Sequence, residues 1–192
     1  DANGCIGTAT VTVTVDLTPT GVSASASRNL ICPGQSVDLF ATANPVAGTV
    51  LTQNFESGLG SWTTANNTTG GSNPLSTAWT VQTNPYASPN AGTFNSSGGS
   101  KFILSNADLG GSGTSVFTIL QSPSFSTVGY TTLNVSWRQY YRALSPPEAF
   151  IEASTNGTSW ITLKSLAATQ GASTAFVVDS TNANAFVGQS TV

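Results

Sequence analysis

Short stretches of strictly alternating apolar and polar residues constrain this chain more than any other feature of its sequence. Residues 133–138 read LNVSWR and residues 149–154 read AFIEAS, and a period of two indicates strands with one buried face. Residues 161–164, ITLK, continue the pattern. Asn156-Gly157 separates the last two stretches and suits the positive φ angles of a tight hairpin turn. The sequence therefore predicts three strands, of which the last two form a hairpin.

The same period assigns a face to each side chain and makes an all-β fold the expectation. Ile161 and Leu163 fall on the face opposite Lys164. Because alternating strands have to cover their apolar faces, we expect a two-sheet antiparallel sandwich. Helix in more than about a tenth of the residues would contradict this class. The side chains expected inside the sandwich are those of Phe55, Val135, Trp137 and Ile151.

The low charge of the chain argues against two kinds of partner. Charged residues make up 7% of the sequence, only five residues are Lys or Arg, and the net charge is -3. Such a surface has little with which to neutralise phosphates or anionic lipid headgroups, so we expect no nucleic-acid binding. The longest apolar run, at 175–178, is far shorter than the roughly 20 residues of a membrane helix, so we expect no membrane insertion.

The ends and the composition of the sequence indicate where the protein works. The sequence begins at Asp1, contains no Met and shows no signal peptide, so we expect an interior piece of a longer secreted protein. Abundant Thr, Ser and Asn in place of charges are typical of extracellular β-proteins. The two cysteines suit an oxidising compartment.

Two further alternating stretches precede residue 50. Residues 8–15 read TATVTVTV, which predicts a strand with Val on one face and Thr on the other. Pro19 and Gly21 mark a short linker. Residues 22–27 alternate weakly, and residues 37–43 alternate clearly again.

Several motifs together resemble one known family. LQSPSFSTVGYTTLNVSWRQYYR at 120–142, followed by EAFIEASTNGTSWITL at 148–163, is similar to the central block of choice-of-anchor J jelly-roll domains, whose relatives include MAM domains and the cleaved-adhesin domains of bacterial surface proteases. NFESGLGSW at 54–62 resembles the opening strand of that family, and AFVGQSTV at 185–192 resembles the approach to its final strand. The resemblance implies an antiparallel jelly-roll β-sandwich at 51–192 that lacks its final strand.

The preceding region resembles the immunoglobulin-like or PKD-like repeats of gliding-motility adhesins exported by type IX secretion. DANGC and the Thr-Val strand after it are similar to the end of such a repeat, and ICPGQSVDLFATA at 31–43 is similar to the start of another. The resemblance implies that residues 1–16 are the C-terminal strand of one repeat. Residues 17–50 would then be the first strands of the next.

The two cysteines take their expected pairing from the same resemblance. In those repeats the CPG cysteine comes first and the DxNGC cysteine comes last within one domain, whereas here Cys5 precedes Cys32. This order implies that each cysteine has its disulfide partner outside this sequence. A Cys5–Cys32 bond is the alternative, because closing a loop of about 27 residues carries no prohibitive entropy.

The ionisable residues favour a protein without catalysis. The chain has no His, which removes the Ser-His-Asp and Cys-His constellations and the commonest metal ligand. Glu148 and Glu152 share a predicted strand face, but four residues of strand separate them by about 13 Å, more than the about 5–10 Å of a glycosidase pair. We therefore expect solvated carboxylates and no enzyme activity.

The resemblance also implies a structural calcium ion. In the related jelly rolls the acid of an FE pair and an acid in a later S-x-A-D stretch help to hold calcium, and these roles fall on Glu56 and, in SNADLGG, on Asp108. Oxygen ligands suit this ion. The Asp-rich calcium loop of the cleaved-adhesin relatives has no counterpart after Trp62, where the sequence reads TTANNTTGG. The alternative is a pair of exposed acids that bind no ion.

Aromatic residues offer a second kind of site. Large aromatic side chains fill protein cores more often than they bind ligands. Tyr141 and Arg142, next to the Pro146-Pro147 loop, are the best candidates for contact with a glycan.

These features together predict a non-catalytic fragment of a large secreted adhesin or extracellular filament at the bacterial cell surface. Its partners would be cell-surface glycans, other cells or further copies of the chain. The alternative is a carbohydrate-binding module attached to a secreted enzyme. A sandwich without its final strand exposes an unpaired edge, which either the continuing parent chain or a strand from a neighbouring copy would cover.

Overall fold

The computed structural model describes residues 20–28, 30, 36–89, 91–96, 98–144 and 149–192. Strands account for 38% of the residues and helical turns for 7%, and all strand pairs in the described part are antiparallel. The predicted all-β class is confirmed. Within these residues, no helix has the length and apolar character that crossing a membrane requires.

The chain divides into two compact units. The first consists of the residues up to Gly48 together with Gly129–Thr131. Its described strands are β1 (Thr20–Ala26) and β2 (Leu39–Asn44), which form an antiparallel pair. Strand β1 begins within the predicted linker, and β2 covers the second half of the alternating stretch at 37–43. Residues 1–19 and 31–35, and with them the predictions for Cys5 and Cys32, lie outside the described residues.

The second unit consists of Thr49–Val128 and Thr132–Val192. Its described strands are β3 (Thr63–Asn66), β4 (Thr80–Gln82), β5 (Tyr86–Ser88), β6 (Gly92–Phe94), β7 (Phe102–Leu104), β8 (Thr118–Gln121), β9 (Asn134–Gln139), β10 (Ala149–Ala153), β11 (Ile161–Leu166) and β12 (Val177–Asn182). They form the pairs β3–β8, β4–β7, β5–β6, β9–β12 and β10–β11. The first three pairs are nested in sequence, so the chain runs out through β3, β4 and β5 and back through β6, β7 and β8. We call these six strands, which form three separate two-stranded sheets, the nested ribbon. Short 3₁₀ turns at Pro74–Thr77, Ala107–Gly110 and Asn184–Phe186 complete the regular structure of this unit.

The predicted hairpin is present in the second unit. Strands β10 and β11 pair on either side of Asn156-Gly157, and Gly157 has a φ of +70°, which is the conformation that glycine adopts at little cost. The side-chain oxygen of Asn156 accepts hydrogen bonds from the amides of Thr158 (2.9 Å) and Ser159 (2.8 Å). The turn is therefore held by its own side chain as well as by its backbone.

A β-bulge in this hairpin makes one predicted set of faces wrong. Ile151 pairs with Lys164 and the adjacent Glu152 pairs with Thr162, so Leu163 is an additional residue that has no partner in the register. The bulge exchanges the faces of β11 on either side of it. Lys164 consequently lies on the same half-buried face as its register partner Ile151. Ile161, which pairs with Ala153, lies on this face as well but is 58% exposed.

Aromatic rings connect the nested ribbon of the second unit to the residues next to β9 and β12. The ring of Phe94 packs 5.9 Å from that of Tyr140, and the ring of Phe102 packs edge-on at 5.4 Å from that of Phe176. The side chains of Phe55, Val135, Trp137 and Ile151, which were predicted to lie inside, are half-buried. The buried hydrophobic residues of the described part are Phe94, Phe102, Leu166, Ala183 and Phe186.

The last residues of the sequence pair with an internal segment. Val192 exchanges two backbone hydrogen bonds with Phe125, at 3.0 and 2.9 Å. Thr127 donates its amide to Gln189 (2.8 Å) and accepts from the amide of Gly188 (3.0 Å). The segment 188–192 is therefore part of the packed unit.

Candidate functional site

Two of the residues singled out in the sequence meet in the second unit. Asp108 lies in the 3₁₀ turn at Ala107–Gly110, and Arg142 follows strand β9. The guanidinium Nη1 of Arg142 lies 3.7 Å from the carboxylate Oδ2 of Asp108. We call Asp108, Tyr141 and Arg142 the Asp108–Arg142 site. A predicted calcium ligand and a predicted glycan contact thus belong to one surface.

The turn that carries Asp108 is fixed by its neighbours. The side-chain oxygen of Asn106 accepts from the amide of Asp108 at 3.0 Å, which caps the turn. The side-chain nitrogen of Asn106 donates to the hydroxyl of Ser88 at 3.0 Å, and both residues are buried. Burial with satisfied hydrogen bonds holds Asn106, and through it the backbone of Asp108, in one position.

The backbone that carries Arg142 is fixed on the other side of the site. Tyr141 and Gln170 exchange backbone hydrogen bonds of 2.9 and 2.8 Å, and the amide of Ala143 donates to the hydroxyl of Thr169 at 3.2 Å. Tyr141 itself is half-buried. The charged ends of the site therefore extend from two anchored segments of one unit.

The charges of this site face water. The side chain of Arg142 is 59% exposed and that of Asp108 is 37% exposed. Their separation of 3.7 Å is longer than a direct hydrogen bond, and exposed ion pairs of this kind contribute little to stability. The pair is thus a minor contributor to the stability of the fold.

Glu56, the other predicted calcium ligand, is engaged differently. Its Oε1 accepts from the amide of Lys101 at 2.7 Å, and the ammonium of Lys101 donates to the carbonyl of Glu56 at 2.9 Å. The residue before it, Phe55, has a φ of +59°, which is uncommon for a residue other than glycine. The loop is held by Gln53, whose side-chain oxygen accepts from the amide of Phe55 at 2.9 Å.

The described residues contain no group of three or more His, Cys, Asp or Glu side chains that could hold a metal ion. The guanidinium of Arg142 also lies next to the carboxylate of Asp108, and a cation bound there would be repelled by it. Calcium binding by Glu56 and Asp108 stays a prediction, since carbonyl oxygens and water can complete a calcium site.

A second polar cluster lies on the half-buried face of strands β9, β11 and β12. The ammonium of Lys164 contacts Oδ1 of Asp179, whose Oδ2 accepts from the side-chain nitrogen of Gln139 at 2.9 Å. The amide of Ser180 donates to Oδ1 of Asp179 at 2.8 Å. The ammonium also lies 5.6 Å from the ring centre of Trp137, within the range of a cation–π interaction.

The ion pair changes the acidity of Asp179. The hydrogen bond from Lys164 lowers the pKa of this carboxyl below 3.8, and the amide of Ser180 lowers it further, although partial burial acts in the opposite direction. Both side chains are less than a third exposed. Lys164 and Asp179 were not predicted to interact, because only the bulge at Leu163 turns Lys164 toward this face.

Comparison with known proteins gives no relative of this chain: no family model, no curated protein and no solved structure matches it. The resemblance to choice-of-anchor J domains and to adhesin repeats therefore stays a prediction.

Proposed function

We propose that this chain is a non-catalytic part of a large secreted bacterial surface protein, an adhesin or an extracellular filament, in which successive β-modules provide reach and the second unit makes contact. In this proposal residues 51–192 form a jelly-roll sandwich, and residues 1–50 belong to immunoglobulin-like or PKD-like repeats. The nested antiparallel pairs β3–β8, β4–β7 and β5–β6 support the jelly roll, because an antiparallel ribbon folded back on itself produces that arrangement.

The observation that carries the proposal is the way the loops of the second unit are held. Asn66 donates its side-chain amide to the carbonyls of Pro74 and Leu75, both at 3.2 Å. Thr127, which is fully buried, bonds through its hydroxyl to the loop that contains Gln189. Loops fixed on a β-scaffold present a constant surface, and surfaces of this kind are what binding modules use.

The strand surfaces agree with an extracellular role in contact. Strands β9 and β12 turn Asn134, Ser136, Ser180 and Asn182 outward, so hydroxyls and amides occupy positions where charges are common. The described residues contain two ion pairs. Such a surface interacts weakly with nucleic acid and with anionic lipid, and it suits a protein that works at a cell exterior.

An adhesion assay with the whole chain tests the proposal. Polystyrene beads coated with residues 1–192 are passed over bacterial cells and over glycan-coated surfaces under flow, next to beads coated with serum albumin. We expect the chain-coated beads to be retained and free chain to compete them off. Beads that are retained no better than the albumin control on every surface would refute the contact function.

The Asp108–Arg142 site favours a second candidate, a carbohydrate-binding module attached to a secreted enzyme. Arg142 and Asp108 present hydrogen-bonding charges at the surface, and Tyr141 precedes Arg142 in the sequence. Residues of these types suit sugar hydroxyls and the apolar face of a sugar ring. The two candidates differ in their ligands. A module that serves an enzyme would bind one soluble polysaccharide and would not retain cells, whereas an adhesion module would retain cells.

A further inference from the structure

We infer that Lys101 supplies, from within the chain, the cation that closes the loop at 53–59, and that the second unit therefore folds and makes its contacts without calcium. For the contacts this inference rests on the proposed contact function, whereas for the fold it rests on the interactions of Lys101 alone. It takes the second of the two alternatives that the sequence leaves open for Glu56 and Asp108, namely acids that bind no ion.

Lys101 already binds a carbonyl oxygen and a carboxylate oxygen of Glu56. Its ammonium donates to the carbonyl oxygen at 2.9 Å, and its backbone amide donates to the carboxylate Oε1 at 2.7 Å. Carbonyl and carboxylate oxygens are the ligands that calcium takes in proteins. A calcium ion at this carbonyl would have to displace the ammonium, because two positive charges at adjacent positions repel each other. We call the two interactions the Lys101–Glu56 clamp.

The remainder of the loop is held by its own donors. The side-chain nitrogen of Gln53 donates to the carbonyl of Leu59 at 3.0 Å. The side-chain oxygen of Gln53 accepts from the amides of Asn54 and Phe55, both at 2.9 Å, and the amide of Gly58 donates to the carbonyl of Phe55 at 3.0 Å. These donors are all neutral, so the clamp provides the positive charge among the described contacts of this loop.

Glu56 and Asp108 are attached to opposite ends of strand β7. Glu56 is bonded to Lys101, just before the strand, whereas the amide of Asp108 is bonded to Asn106, beyond its end. Five residues of extended chain separate these two attachment points by about 16 Å. Oxygens that share a calcium ion lie within about 5 Å of each other, twice the ligand distance of about 2.3–2.6 Å. Since Arg142 also lies 3.7 Å from the carboxylate of Asp108, the arrangement does not fit one shared ion.

Calcium binding and melting of the full chain test the inference. Chain treated with EDTA is titrated with calcium chloride in a calorimeter. Its Tm is measured in EDTA and in about 5 mM calcium, above the dissociation constants of about 10⁻⁴–10⁻³ M of extracellular calcium modules. We expect no heat of binding and the same Tm in both buffers. A Tm that falls in EDTA, or that rises in calcium, would overturn the inference.

Substitution of Lys101 tests the clamp itself. Lys101→Met removes the ammonium, so we expect the Tm to fall by about 2–4 °C, as for the loss of one hydrogen bond in a chain of this size. We also expect faster amide hydrogen exchange at 53–59. Lys101→Arg keeps a positively charged donor and should retain most of the stability. Arg138→Met, at an exposed position of β9, is the control for the loss of a surface charge. If Lys101→Met melts and exchanges as Arg138→Met does, Lys101 does not close the loop.

The bead assay separates this inference from the proposed contact function. We expect parent beads to be retained equally in EDTA and in calcium, and retention that requires calcium would overturn the inference for the contacts. Parent beads that are retained on no surface would refute the contact function instead. The titration and the melting curves would then still decide whether the fold depends on calcium.

Discussion

Lys164 and Asp179 join two strand pairs that are otherwise separate ladders. Lys164 belongs to β11, which pairs with β10, and Asp179 belongs to β12, which pairs with β9. Besides contacting the carboxylate, the ammonium of Lys164 donates to the carbonyl of Ser180 at 3.3 Å, and the hydroxyl of Thr181 donates to the carbonyl of Leu163 at 3.2 Å. Side chains, rather than a backbone ladder, connect the two pairs.

Replacing only Lys164 should destabilise the second unit more than replacing the whole pair. Lys164→Met leaves the partly buried carboxylate of Asp179 without its cation, and such a charge is costly, whereas an apolar pair is tolerated. We expect a lower Tm for Lys164→Met and a partial recovery in the double variant Lys164→Met, Asp179→Leu, measured by calorimetry. Arg138→Met, at an exposed position of β9, is the matched control. Equal losses in the single and double variants would contradict the role of the pair.

The lowered pKa of Asp179 predicts a particular pH dependence. A carboxyl whose pKa is lower in the folded state than in the unfolded state stabilises the fold fully above the unfolded pKa, near about 4. This contribution is lost as the pH falls through the lowered folded value. We expect the urea midpoint of the parent chain to exceed that of Asp179→Asn at pH 7, and the difference to shrink below about pH 4. A difference that stays constant down to pH 2 would show that Asp179 is not acidified.

The buried hydroxyl of Thr127 should contribute measurably to stability. It donates to the carbonyl of Phe186 and accepts from the amide of Gln189 at 3.0 Å. Thr127→Val keeps the shape but leaves both backbone groups without this partner, so we expect a loss of about 1–3 kcal/mol in the free energy of unfolding by urea. Thr127→Ser retains the hydroxyl and should lose less. A valine variant as stable as the parent would contradict this account.

Gly71 should tolerate alanine much less well than Gly92. Both have positive φ angles, +68° and +76°, so both substitutions carry the cost of a left-handed alanine. A Cβ on Gly71 would overlap the hydroxyl of Thr114 and the carbonyl of Gly110, whereas a Cβ on Gly92 would meet nothing within 4 Å. We expect Gly71→Ala to cost about 1–3 kcal/mol more than Gly92→Ala, the cost of overpacking. Equal chemical-denaturation midpoints would refute the close approach.

Ser154 should protect the Asn156-Gly157 turn against deamidation. The buried hydroxyl of Ser154 accepts from the amide of Gly157 at 2.9 Å, and this amide nitrogen has to attack the side-chain carbonyl of Asn156 for the reaction to begin. We expect Ser154→Ala to accumulate isoaspartate faster than the parent during storage at neutral pH, measured by peptide mass spectrometry. Ser154→Thr keeps the hydroxyl and is the control. Equal rates in all three chains would show that the bond gives no protection.

Much of the fold was predictable because it depends on local sequence. The hairpin at Asn156-Gly157 follows from a turn that needs positive φ and from two flanking stretches of period two. The same logic found β9 and most of β2. It did not find β5 and β6, a local hairpin of three-residue strands that are too short to show a period. It also did not find β3, β8 or β12, which are short or poorly alternating and pair with strands far away in the sequence.

For the candidate sites, too, the sequence indicated individual residues but not the contacts between them. Arg142 and Asp108 were each singled out by residue type and motif, but their proximity depends on how the segments around Asn106 and Gln170 are anchored. No periodicity in the sequence reports the distance between residues so far apart in the chain. The Lys164–Asp179 pair escaped prediction for a related reason, since one bulged residue inverts the faces of a strand.

The sequence by itself determined the all-β class, the hairpin turn and the low charge of the surface. Alternation and the turn glycine act between residues that are close in the sequence, and the low charge follows from the composition alone. Tertiary structure alone decided which side chains meet: Lys164 with Asp179, Arg142 with Asp108, and the aromatic rings that link the nested ribbon to β9 and β12. The physical reason is that strand register is set by pairing and packing over long separations. A shift of one residue moves every following side chain to the other face.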